Sequence, residues 1–68
     1  MYSLDRLEDC IVDRLDIVEL DLSQEPDDAT LHACAVLLAP LLREPVEGVF
    51  RALRGMRDGW VALHRRAN

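Results

Sequence analysis

PVEGVFRALRGMRDGWVALHRR, residues 45–66, is the stretch that decides the fold. Read as one helix at roughly 100° per residue, it places Gly48, Ala52, Gly55, Gly59 and Ala62 on a stripe about 80° wide. Every glycine of the chain lies on that stripe. Val46, Val49, Phe50, Leu53, Met56, Trp60 and Leu63 take the adjoining face, so a single helix carries two contact surfaces. A glycine inside a helix costs roughly 1 kcal/mol relative to alanine. A line of them points to another backbone approaching closely, by the same sterics that operate in small-xxx-small helix pairs. The competing reading breaks the segment within RGMRDG, residues 54–59, with Gly55 as a left-handed terminator and Asp58 capping a short last helix. We expect one helix from about 45 to 66, with the stripe intact.

Upstream, Pro45 suits the first turn of that helix, and the apolar run at residues 33–42 is interrupted by Pro40. Proline lacks the backbone donor and clashes with the carbonyl four residues back, here that of Val36. A second helix is therefore predicted from about 28 to 39, kinking or ending at Pro40. Ala29, Leu31, Ala33, Cys34, Ala35, Val36, Leu37 and Leu38 surround nearly its whole circumference, the pattern of a helix buried on most sides. Residues 23–28, SQEPDD, are turn chemistry, with Asp27 or Asp28 as the cap. A first helix is predicted from about 3 to 22: Ser3 caps it, Asp5 suits the positive end of its dipole, and Leu4, Leu7, Ile11, Leu15, Val18 and Leu22 recur at helical spacing. Its last turns, residues 17–22, alternate enough to fit a short strand as well.

The expected fold is all-α: one domain spanning residues 1–68, a small bundle of three helical segments completed by homodimerisation. Size is the reason for the last clause. A 68-residue chain buries only about 60% of the surface it exposes when unfolded. It needs a disulfide, a metal, unusually good packing or self-association. Half of its residues are hydrophobic but only Tyr2, Phe50 and Trp60 are aromatic, so the core is aliphatic.

The formal charge of -5 argues against general affinity for phosphate backbones. It hides a gradient: residues 1–28 hold ten carboxylates and two arginines (-8), and residues 29–68 hold six arginines and three carboxylates (+3). The two halves can attract each other within one chain, between two copies, or across a foreign partner. The first ten residues lack a basic start followed by an apolar stretch, so the expected location is cytoplasmic. No apolar run approaches the roughly 20 residues of a membrane span.

Chemistry-bearing motifs are sparse. Cys10, Cys34, His32 and His64 form no recognised zinc spacing, and His32 and Cys34, two apart on a helix, diverge. Free thiols, no metal and no cofactor are expected. Ser3, Ser23 and Thr30 all stand at predicted helix starts, where capping explains them. With no phosphate loop, no nucleophile elbow and no paired histidine and carboxylate, an enzyme is not expected. The expected activity is non-catalytic binding that regulates, inhibits or escorts a protein partner. Its contact residues would be Val49, Phe50, Leu53, Met56 and Trp60, with Arg57 orienting and Gly48, Ala52, Gly55 and Gly59 permitting close approach. Arg57 projects into the apolar arc, where it can stack on Trp60, snorkel, or meet a carboxylate from another subunit. Trp60 fits a core position or an interface anchor. The alternatives are a nucleic-acid-binding regulator that uses Arg51, Arg54 and Arg57 of a dimer, and a subunit whose only role is self-assembly. The linker LLREP lacks the glycine usual in a helix-turn-helix, and the acidic first helix would repel DNA.

Overall fold

The computed structural model describes residues 4–66, apart from the side chains of Leu4, Asp5 and Arg66. The expected cap Ser3 and the Asp5 carboxylate lie outside what is described. The described chain is all-helical: α1 (Leu4–Val12), a 3-10 turn (Leu22–Gln24), α2 (Asp28–Leu42) and α3 (Val46–Arg66). Among the described residues there is no strand, and no helix is long and apolar enough to cross a membrane.

α1 stops at Val12, well short of the predicted 22. Beyond it the backbone continues as tighter turns, with Arg14 N–H donating to Ile11 O (2.9 Å) and Ile17 N–H to Arg14 O (3.1 Å). Glu19 is left-handed (φ 54°), and Leu20 N–H reaches back to Leu15 O (3.1 Å), the long bond of a Schellman-type stop. The physical cause is charge. Asp9 and Asp13 are like charges four apart, and Asp13, Asp16 and Glu19 would stand at the negative end of the dipole. Arg14 donates to Cys10 O at the helix end (3.3 Å). The strand alternative for residues 17–22 is not adopted either.

α2 begins where Asp27, in extended conformation, accepts from Thr30 N–H (2.8 Å). It runs through Pro40 to Leu42 rather than ending at 39. Pro40 is exposed and so is Val36, which leaves the carbonyl deprived of its donor on the wet side, while Leu42 is 7% exposed and anchors the last turn in the core. The helix closes on Arg43 in left-handed conformation (φ 55°), with Glu44 N–H donating to Ala39 O (3.1 Å). Pro45 O then accepts from Val49 N–H (3.1 Å), opening α3.

α3 is continuous over 21 residues. No described glycine has positive φ, so the break at residues 55–59 does not occur. α2 and α3 form an antiparallel hairpin and α1 packs mainly against α3. The core draws Leu7 and Ile11 from α1, Leu31, Cys34, Ala35, Leu38, Ala39 and Leu42 from α2, and Val49, Ala52 and Leu53 from α3. It is aliphatic as expected, and no polar side chain among the described residues is buried in it.

Candidate protein-interaction surfaces

The residues singled out on α3 divide by depth. Val49 and Leu53 are 0% exposed and Ala52 is 2% exposed, so these three belong to the chain's own core. Phe50, Met56, Arg57, Trp60 and Gly48 are half-buried at its rim, and Gly55 and Gly59 are exposed. The stripe of small residues therefore turns from core to solvent along the helix. A Cβ built on Gly48 would touch Pro45 Cγ at 3.7 Å, whereas one on Gly55 or Gly59 would meet nothing within 4 Å. Among the described residues no backbone outside α3 comes within 4 Å of where those Cβ atoms would stand, so the described part of the acidic first helix does not pack on these two glycines.

Arg57 is the most constrained of the group. Its Nη1 donates to Asp28 Oδ1 (2.6 Å) and to Pro26 O (3.1 Å), and its Nε and Nη2 donate to Asp58 Oδ1 (3.0 and 2.9 Å). The carboxylate it meets across the fold is its own chain's Asp28, and it does not stack on Trp60. Hydrogen bonding to Asp28 first, and to Asp58 second, holds its pKa above the ordinary arginine value. The guanidinium pins the middle of α3 to the start of α2.

Trp60 stacks flat on His64, with ring centroids 3.6 Å apart and planes 16° from parallel. His64 Nδ1 lies 2.9 Å from Trp60 O, the i,i+4 geometry that locks the pair on one helix face. Leu63 beside them is 66% exposed. At the other end of α3 the Phe50 ring meets His32 edge-on (5.6 Å) and Arg54 stands over it (5.6 Å to the centroid). Two further arginines of the basic half face carboxylates of the same chain: Arg51 pairs with Glu47 (3.8 Å) and Arg65 with Glu25 (3.5 Å).

Sequence reasoning missed a surface on α2. That helix is not buried on most sides. Val36, Leu37 and Leu41 are 49%, 61% and 53% exposed, and Ala29, Ala33 and Pro40 are exposed between them. At 100° per residue these six span roughly 140°, opposite a core stripe of similar width. The signal was available: with only two other helices, a chain this short cannot cover a helix on every side.

Cys10 is half-buried and Cys34 buried, both as free thiols. Burial raises the Cys34 pKa. His32 is exposed while Cys34 faces inward, so the two diverge. Among the described residues no group of histidine, cysteine and carboxylate side chains is placed to hold a metal. No protein-family model matches this chain, and neither does any curated protein or solved structure.

Proposed function

We propose that this chain is a small, acidic, non-catalytic protein-interaction protein of the cytoplasm, acting as a homodimer, that regulates, inhibits or escorts a protein partner. The partner docks on the outer, C-terminal half of α3. The observation that carries this reading is the pairing of Trp60, held flat by His64 at 3.6 Å, with the open space over Gly59 and Gly55. A pre-ordered aromatic ring loses little entropy on binding, and aromatic anchors dominate interface energetics. On the adjoining stripe of the same helix, roughly 100–140° round from Trp60, the two exposed glycines let a partner's backbone approach as close as van der Waals contact allows. Met56 and Arg57 form the inner rim of this surface. Val49, Ala52 and Leu53 support it from the core rather than touching the partner.

The nucleic-acid alternative is weaker on electrostatic grounds. Of the three arginines it would use, Arg57 is held by Asp28 and Asp58 and Arg51 faces Glu47 at 3.8 Å, which leaves Arg54, standing over Phe50, as the one that faces no carboxylate, too little for an unopposed basic stripe.

The test is quantitative recovery of partners from the native host with a tagged chain and its Trp60→Ala variant. A stoichiometric protein retained by the wild type and reduced at least tenfold by Trp60→Ala is the expected result, at the scale of an aromatic hot spot. Recovery of nucleic acid in place of protein, lost on replacing Arg51 and Arg54 and falling steeply with salt, would overturn the reading.

A further inference from the structure

We infer that residues 21–26 form a strap clasped over Val61 of α3 by Arg57 and Arg65, and that its release lays Val61 open as an extension of the partner-docking surface. The clasp is read from the fold alone, whereas what it masks rests on the docking of a partner at Trp60 proposed above.

Two consecutive residues of the strap are held from α3. Pro26 O accepts from Arg57 Nη1 at 3.1 Å, and the Glu25 carboxylate pairs with Arg65 Nη2 at 3.5 Å. The two arginines stand four residues to either side of Val61, roughly 6 Å along the axis and about 40° round the helix each way. Their side chains therefore converge above Val61, and the 3-10 turn just before Glu25 packs on the same helix. Burial agrees with this placement. Leu63 stands about 60° round α3 from the midline of the core residues Val49 and Leu53, and Val61 about 100°. Yet Leu63 is 66% exposed and Val61 is half-buried. The helix hairpin does not account for that order, and a strap lying on Val61 does.

The two ends of the clasp are unequal. Arg57, its side chain 17% exposed, also holds Asp28 and Asp58 and is the fixed end. The Arg65 and Glu25 side chains are 78% and 52% exposed, and a solvent-exposed ion pair contributes little. Not much else holds the strap down: none of residues 21–26 is buried, and Glu25 is left-handed (φ 49°), a conformation that crowds the Cβ of any residue but glycine. Segments with few buried contacts are the ones that open locally. The strap thus pivots at Arg57 and unlatches at Arg65. His64 lies between Trp60 and Val61 round the helix, so an open strap continues the Trp60–His64 surface onto an apolar side chain. A closed one blocks that side of it.

The test begins with the free full chain. Amide hydrogen exchange follows Gln24 and Glu25, whose N–H groups donate to Asp21 O and Leu22 O (3.2 and 3.1 Å), and relaxation by a soluble nitroxide follows the Val61 methyls. Arg65→Glu should speed exchange at both amides about two- to fivefold, the scale of an exposed ion pair, and raise relaxation at Val61. Adding Glu25→Arg should return Val61 relaxation to the wild-type level. The carboxylate at position 65 is still there in the double variant, so that return separates unlatching from fraying at the end of α3. The amount of protein partner captured from the native host should rise with Arg65→Glu. Exchange and relaxation that do not change would overturn the clasp, and faster exchange with Val61 unaffected would take the strap off Val61. Relaxation that stays high in the double variant would assign the change to fraying and overturn the latch. Partner capture that falls in Arg65→Glu, while the free chain behaves as expected, would make the closed strap part of the docking surface and overturn the mask. Capture indifferent to Trp60→Ala would instead remove the docking reading, and the mask with it, while the clasp measured on the free chain stands.

Discussion

Arg57 and Asp28, 29 residues apart in sequence, are joined at 2.6 Å, and that bond with the one to Pro26 O ties the centre of α3 to the start of α2. Arg57→Met keeps the aliphatic stem and removes the three-sided polar contact, leaving Pro26 O without this donor. Its thermal midpoint should fall, and it should fall less when Asp28→Asn is already present. A double-mutant cycle checks this. Additive effects would mean that the two residues do not act as a pair.

Gly55 has negative φ and open space where a Cβ would go. Gly55→Ala should therefore stabilise the folded chain by roughly 1 kcal/mol through helix propensity, raising the thermal midpoint by about 4–8 °C for a domain of this size. Gly59→Ala should act alike. Gly55→Leu should fold as well, yet weaken the protein partner by filling the space its backbone needs. Melting curves and partner recovery on the same variants separate the two effects.

Leu37 and Leu38 are neighbours in sequence and 61% and 0% exposed. Leu38→Ala should cost roughly 2–5 kcal/mol, the range for a buried leucine truncated in a core, a large share of a small domain's stability. Leu37→Ala should leave a monomer's unfolding free energy nearly unchanged. Denaturant titration at low concentration, where self-association is suppressed, measures both.

Asp27 caps α2, and hydrogen bonding from the Thr30 side chain and then its N–H lowers its pKa below the ordinary 3.8. Asp21, bonded to Ser23 Oγ and N–H (2.6 and 2.9 Å), is lowered in the same way. A carboxylate with a depressed folded pKa contributes stability that is complete above the unfolded value and is lost as pH falls through the folded one. The denaturation midpoint should therefore decline as pH drops below about 4. Asp21→Asn with Asp27→Asn should flatten that decline, because asparagine caps a helix without titrating.

The all-helical class, the continuity of α3 and the turn at SQEPDD were legible because helical spacing and proline and aspartate chemistry are local. Two things were not. The length of α1 depended on a contest between its leucine stripe, which runs on to Leu22, and carboxylates accumulating at a helix C-terminus. Spacing alone records the first and not the second. The depth of each α3 residue depended on where α2 and α1 lie, which is why Val49, Ala52 and Leu53 read as contact residues and fold as core. Arg57 was correctly marked as an arginine within an apolar arc. Its partner Asp28 is set by tertiary geometry that no periodicity contains.

Trp60 is the chain's only tryptophan, so a single 5-fluorotryptophan label reports on the proposed docking surface directly. On titration with the purified protein partner, its one ¹⁹F resonance should shift and saturate at one partner per chain. The label in Leu37→Glu should respond in the same way, because Leu37 stands on α2 and not on α3. A resonance that stays unchanged while the complex demonstrably forms would contradict the assignment of α3 as the partner-binding helix.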